Sequence, residues 1–383
     1  MVSHLVFLPA LLLTLIALPL LNRFAKRVGL VDHPSARKMH SNATPLTGGI
    51  AIACGLLALA IFSPTTLVHF KWILLGSFIL LLTGVADDIK DLRVNLRLAL
   101  QFAAASLVIF GGDLRIEHLG NLLFFGNIEL GLLSIPLTYF ALLAGINAVN
   151  LVDGLDGLAG TLMLVPLLLL ALLTAHHGLA DEFSFITTLA GSILGFLCLN
   201  FRFPWIKSAK TFLGDAGSTT LGFILSCLFI HLSQGTTAIL QPVSILWLFA
   251  IPLIDTATVI VLRKLRGDSA FKASKDHLHH VLIQRGLNVR QTVGFIGISA
   301  TAFGGTALFA SEMGIADGIL FLAFVAFLTY HFICVRAIVR SEVQTIKPYD
   351  FGLRLIEKKL NKLEQVNQQF NQFELNKKRN DAA

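Results

Sequence analysis

Apolar runs of about 16 to 20 residues recur along the whole chain, separated by polar loops, and each is close to the roughly 20 residues a helix needs to cross a bilayer core. Eleven runs fit: about 4–22, 46–62, 71–86, 96–111, 132–149, 157–175, 183–200, 217–233, 243–262, 292–310 and 316–335. The pattern predicts an all-α polytopic membrane protein of about eleven transmembrane helices. One loop departs from it. Residues 112–131, GDLRIEHLGNLLFFGNIELG, hold two short alternating runs around a Gly-Asn turn, which predicts a small external hairpin. Beyond the last run the chain turns polar, so 1–340 reads as one transmembrane domain and 341–383 as a tail. In that tail Leu353, Ile356, Leu360, Leu363, Asn367 and Phe370 follow a 3-4-3-4-3 spacing suited to an amphipathic helix. A dimeric coiled coil, hence a homodimer, a helix on the inner leaflet and a solvated tail all remain open for it.

Composition agrees with the pattern. Of 383 residues 55% are hydrophobic and 14% charged, which excludes an ordinary soluble globular class. Charge then supplies an orientation. If Met1 lies outside, loops 22–45, 87–97, 200–212, 263–291 and 336–383 are cytoplasmic and carry 28 of the 30 Lys and Arg, leaving Lys71 and Arg115 outside. Cytoplasmic loops hold the Lys/Arg excess, so the split predicts an outer N-terminus and an inner C-terminus. MVSHL lacks a basic n-region, so the first run is expected to be a retained span. The four cysteines sit singly in apolar spans, as buried packing residues. The net charge of +7 comes from the inner loops and speaks of topology and anionic lipid, not of nucleic acid.

The same inner loops hold the candidate chemistry. GVADDIKD (84–91) ends a span with Asp87 and Asp88, where a helix C-terminus opposes carboxylates; on a helix Asp88 points about 100° from Asp87. A divalent-cation or phosphoryl site suits the pair better than a solvated helix end. NAVNLVDGLDGLAG (147–160) steps Asn147, Asn150, Asp153 and Asp156 at three-residue intervals, and capping accounts for only one of the aspartates. TFLGDAGSTTLG (211–222) sets Asp215 in a Gly-flanked turn opening a span, where backbone N–H groups favour phosphate and the carboxylate needs a cation beside it. Magnesium takes one or two carboxylates plus substrate phosphates. The longest inner loop carries His277, His279 and His280 with Lys264, Lys272 and Lys275. Zinc lacks a fourth ligand there, and donation to a pyrophosphate fits better. HPSARKMHSNATPLTGG (33–49) adds Arg37, Lys38 and His40. Asp255 lies about 12 Å of helix inside its span, either functional or paired with a polar neighbour. The isolated histidines at 4, 69, 118, 176, 177, 231 and 331 carry no assignment.

Carboxylates, glycine turns and basic groups on one membrane face are the inventory for magnesium-assisted phosphoryl transfer between a lipid phosphate and a soluble diphosphate. A secondary transporter is the rival, but its site belongs near the midplane at related broken helices. DD at 87–88, NAVNLVDGLDGLAG, FLGDAGS at 212–218 and HLHH at 277–280, in this order, resemble the polyprenyl-phosphate N-acetylhexosamine-1-phosphate transferases. RKMH, IPLID and the H-x-H-H loop are most similar to members that act on UDP-GlcNAc and undecaprenyl phosphate; relatives acting on peptidoglycan precursors carry consecutive histidines, which Leu278 interrupts here. The resemblance implies transfer of GlcNAc 1-phosphate with release of UMP at the cytoplasmic face of a bacterial inner membrane, with another UDP-N-acetylhexosamine (QuiNAc, FucNAc) as the alternative. It further implies Mg2+, or Mn2+ in its place, on Asp215 and Asp88, and Asp87 and Asp88 beside the lipid phosphate. Asn150, Asp153 and Asp156 fall on the nucleotide side and His277, His279 and His280 on the diphosphate or sugar, with Arg37, Lys38, His40 and Lys264 as further substrate contacts.

Overall fold

The computed structural model describes residues 6–34, 43–269 and 276–338. The chain divides into two compact units, Met1–Thr329 and Tyr330–Ala383; of the second only 330–338 are described, and they are helical. The predicted tail helix, and Arg37, Lys38 and His40, lie outside the described residues.

The first unit is a bundle of apolar helices. In order they are α1 (Phe7–Val28), α2 (Gly48–Leu56), α3 (Ala58–Phe62), α4 (Pro64–His69), α5 (Lys71–Lys90), α6 (Val94–Ser106), α7 (Ser134–Val152), α8 (Leu158–His176), α9 (Ala180–Asn200), α10 (Gly214–Ser233), α11 (Pro242–Leu248), α12 (Ala250–Leu265), α13 (Leu278–Gln284) and α14 (Val289–Glu312). A last helix, α15, covers Asp317–Ile338. Among the described residues nine helices are long and apolar enough to cross a membrane, and ten if one bent pair counts as a span. Two of the eleven predicted runs do not form one straight helix of spanning length. The run at 243–262 is bent by 78° between α11 and α12, because Pro252 has no N–H to give the Leu248 carbonyl and its ring clashes there. The run at 46–62 is short and breaks at Leu57, leaving about 22 Å of helix where a bilayer core takes about 30 Å.

Two small β features qualify the all-α reading. Val31–Asp32 pairs antiparallel with Thr44–Pro45, which brings Asp32 and Leu46 to the end of the unit where α5 and α7 finish. The expected hairpin at 112–131 exists as a minimal ladder: a His118–Glu129 bridge, with Leu119 N–H donating to Ile128 at 3.0 Å and Leu130 N–H to Glu117 at 2.9 Å. Gln234, beyond the end of α10, clamps it by accepting from the Glu117 and His118 amides.

α10 is the centre of the packing and the most buried of the candidate spans. It packs against α5, α7 and α2. Small residues allow this, since apolar lipid offers helices no hydrophobic drive to associate and close contact must supply the attraction. A Cβ on Gly84 of α5 would stand 2.2 Å from the Ala216 Cα, and one on Gly49 of α2 would stand 2.4 Å from the Gly217 nitrogen. Gly84 and Asp88 are one turn apart on the same face of α5. The close approach at Gly84 therefore carries Asp88 onto the first turn of α10.

Candidate active site

A cavity of about 530 Å³ opens at one end of the unit, where α5, α7 and α9 finish and α8 and α10 begin. Its lining includes Asp32, Asp88, Asn150, Asp153, Asp156, Asn200, Arg202, Asp215 and His280. Three acidic motifs separated by whole spans thus meet in one space.

Each carboxylate is held differently. Asp88 accepts from the backbone N–H groups of Asp215 (2.9 Å) and Ala216 (3.3 Å), capping α10 from a neighbouring helix. This works because Gly214 is left-handed (φ 72°) and has no Cβ, which would fall 2.6 Å from the Asp88 carboxylate. Asp215 faces the cavity, with Asn150 Nδ2 donating to it at 2.7 Å and to the Ser218 hydroxyl at 3.0 Å. Asp156 accepts from Arg202 Nε (2.7 Å) and the Ala209 amide (3.1 Å), which pins the loop between α9 and α10. Asp153 sits past the end of α7, and no hydrogen-bond donor among the described residues reaches its carboxylate. Burial, and then the charges of Asp215, Asp88 and Asp156, push its pKa up to about 7.

Asp87, adjacent to Asp88, is absent from the cavity lining. It is buried and accepts from the Leu92 amide (2.6 Å) and from Arg97 (2.7 Å). Arg97 in turn lies 4.0 Å from Asp215. Asp87 thus seats Arg97 beside Asp215, and its own oxygens are already occupied.

The histidine loop also divides. The His277 Nδ1 and Asp255 Oδ2 atoms are 2.8 Å apart, and Asp255 accepts the Leu278 amide at 2.7 Å. Asp255 is accordingly the anchor of this loop, the structural one of the two roles open to it. His279 is buried against Gly154, and burial, with His280 beside it, holds its pKa down to about 3, so it is neutral. Of the three, only His280 lines the cavity. Lys264 is exposed on the last turn of α12 and is not brought to the cavity. Asn147 turns away, donating to Gln101 on α6.

Arg97, Asn200 and Arg202 escaped the sequence reading. Arg97 and Arg202 look like ordinary positive-inside anchors. Asn200 was hidden at the end of a span, where it accepts the Gly157 amide at 2.7 Å and shapes the turn carrying Asp156.

Residues 70–233, which hold Asp87 through Asp215, match the model of glycosyl transferase family 4. Over 331 residues the chain is 34% identical to the undecaprenyl-phosphate alpha-N-acetylglucosaminyl 1-phosphate transferase of Haemophilus influenzae, covering 85% of this chain and 92% of the relative. The chain belongs to glycosyl transferase family 4. Enzymes of the same name from Salmonella typhi (32% identical, 85% of this chain and 89% of the relative) and Escherichia coli K12 (31%, 82% and 86%) are also similar. The family 4 region begins just before α5 and ends with α10. It therefore spans every cavity carboxylate except Asp32, whereas the histidine loop is added from beyond it.

Proposed function

We propose that this chain transfers N-acetylglucosamine 1-phosphate from UDP-GlcNAc to undecaprenyl phosphate, releasing UMP, at the cytoplasmic face of a bacterial inner membrane, as the lipid-linking first step of a surface glycan. The observation that carries the reading is the meeting of Asp88, Asn150, Asp153, Asp215 and His280 around one cavity at the ends of apolar helices. A soluble diphosphate can enter such a cavity while a lipid phosphate reaches its rim.

The donor set suits a hard divalent cation. Asp215 and Asp88, with Asp153, crowd negative charge that the nearby arginines offset only in part: Arg202 is committed to Asp156, and Arg97, hydrogen-bonded to Asp87, stands 4.0 Å from Asp215. Oxygen ligands of this kind suit Mg2+, or Mn2+ in its place. When bound, the ion supplies charge neutralisation to the diphosphate. The chain's own groups do the rest. Asn150 fixes the Asp215 rotamer, Arg97 lies beside it, and His280 is placed to donate to a diphosphate oxygen. An oxygen of the lipid phosphate attacks the β-phosphorus, the bond from that phosphorus to the bridging oxygen breaks, and the electron pair leaves on UMP. A phosphate monoester has its second pKa near 6 and is largely a dianion at neutral pH, so the acceptor needs alignment more than deprotonation. The engaged oxygens of Asp87 agree with that.

Membranes containing the chain, incubated with undecaprenyl phosphate and labelled UDP-GlcNAc, are expected to give a labelled lipid and equimolar UMP, dependent on Mg2+. Label from UDP-QuiNAc or UDP-FucNAc but none from UDP-GlcNAc would move the sugar assignment. Loss of UMP release in Asp215→Asn, with the protein still folded in the membrane, is the sharper expectation. Retained release in that variant overturns the metal assignment.

A further inference from the structure

A second cluster lies at the far end of the same helices. His69 closes α4, Glu182 is in the first turn of α9, and His231 is in the last turn of α10. Sixteen residues of α10 separate His231 from Asp215, about 24 Å of helix, so the cluster is remote from the cavity. We propose that His69, Glu182 and His231 hold a divalent transition-metal ion of the zinc class. The inference is independent of the function proposed above.

The geometry is close to that of a ligand set. The Nε2 atoms of His231 and His69 stand 3.0 and 3.5 Å from the same carboxylate oxygen, Glu182 Oε1, and the three ligand atoms lie within 4.8 Å of one another. Tetrahedral zinc, with bonds of about 2.0–2.1 Å, sets its ligands about 3.3–3.4 Å apart, so movements of a few tenths of an ångström to about one ångström complete the site. Two imidazoles and one carboxylate with an open fourth position form a known type of zinc set. Magnesium and calcium call for oxygen donors instead, which separates this cluster from the cavity.

A buried Glu–His pair is the simpler explanation, and it accounts for half of what is seen. His231 at 3.0 Å satisfies Glu182 as a hydrogen-bond partner. It leaves His69 unexplained. That imidazole comes from another helix and aims its Nε2 at an oxygen already engaged, from a distance too long for a good hydrogen bond. The surroundings hold it there. The Phe70 ring stacks on Phe185 with centroids 4.4 Å apart and meets both imidazoles edge-on, at 4.7 Å from His69 and 5.4 Å from His231. Thr66 donates to Asp181 at 2.6 Å, tying α4 to the first turn of α9. That first turn also favours Glu182 as an anion.

Access is present on one side. Glu182 is buried, whereas His69 is 42% exposed and borders an open cleft of about 520 Å³ with Pro64, Thr65, Val68 and Asp181. An ion can enter there and keep a water in its fourth position. Bound, it joins the α4–α5 junction to α9 and α10, and α5 and α10 carry Asp88 and Asp215 at their other ends.

The test uses the untagged full-length protein in lipid nanodiscs, with excess Mg2+ so that carboxylate sites are occupied. After equilibration with Zn2+ and passage through a desalting column, about one zinc per chain is expected in the parent. His69→Ala, chosen because the side chain is exposed, is expected to bind at least tenfold more weakly. Cobalt(II) in place of zinc is expected to give the visible bands of a four-coordinate ion in the parent alone, and zinc to raise the melting temperature of the parent alone. Equal zinc content and equal thermal shifts in the two proteins, or no zinc in the parent, overturn the proposal and leave a bare Glu182–His231 pair.

Discussion

Two pairs of aspartates flank the cavity, Asp87 with Asp88 and Asp153 with Asp156, and both divide the same way although one pair ends a helix and the other occupies a turn. Asp87 and Asp156 are each held by an arginine and a backbone amide, at 2.7 and 2.6 Å for one and 2.7 and 3.1 Å for the other. Asp88, Asp153 and Asp156 all line the cavity, but Asp88 is braced only by the amides of the helix it caps and Asp153 by no donor among the described residues. In each pair one carboxylate is tied to an arginine and builds the frame, and the other has no arginine or lysine bonded to it among the described residues. A motif written DD or DGLD thus contains two different instruments, and the donors around them decide which is which.

That comparison is broken most easily at Asp88. Asp88→Asn removes the charge, and its amide cannot accept from both α10 N–H groups. Activity is expected to fall about 10²–10³-fold, the scale for losing one electrostatic contact to a transition state. Detergent-extracted protein should retain most of its thermal stability. A larger loss in Asp87→Asn than in Asp88→Asn, measured as labelled lipid per chain, would reverse the assignment within this pair.

Asp153→Asn comes next, with a loss of about 10- to 100-fold, or about 1.4–2.8 kcal/mol of barrier. Here the pH dependence sharpens the test. The Asp153 pKa in the folded protein, about 7, lies above the ordinary carboxylate value near 4. The folded state therefore binds the proton more tightly, and stability of the metal-free protein falls as pH rises from about 4 to 7, then levels. The melting temperature of the parent in chelator is expected to drop over that range more than that of Asp153→Asn. Added Mg2+ at pH 7.5 should restore the parent more than the variant. Parallel curves would detach Asp153 from the cation.

The frame member of the first pair calls for a double-mutant cycle. Arg97→Ala and Asp87→Asn are each expected to cost about tenfold in activity and about 1–2 kcal/mol of stability, discounted from a fully buried pair because Arg97 is partly exposed. If Asp87 acts by seating Arg97, the double variant is scarcely worse than either single one. Additive losses would give Asp87 a role of its own.

Most of the bundle was legible because a bilayer imposes one length on every span, so hydropathy alone located each apolar helix. The exceptions have local causes. Pro252 bends the ninth run at Phe249, and Leu57 breaks the second, neither of which a count of apolar residues weighs. The site was legible as a set of motifs because carboxylates are costly at the ends of apolar helices. Their partners were not, because Arg97 and Arg202 resemble topology anchors until the fold brings them to Asp87 and Asp156. His69 and His231 looked idle for the same reason, since Glu182 meets them from a helix far away in the chain.

The smallest effect is expected at the second frame residue, and it is the most demanding test of the division. Asp156→Asn keeps an oxygen for the Ala209 amide and gives up only the charge facing Arg202, a group still partly in water. The cost to stability is about 1 kcal/mol, the ordinary scale for one such hydrogen bond. Because Arg202 lines the cavity with its guanidinium held on Asp156, KM for the UDP-sugar should rise about threefold while kcat stays within about twofold, the pattern of lost uniform binding. If kcat instead falls as far as in Asp153→Asn, the two aspartates of the turn act together and the second pair does not divide as the first does.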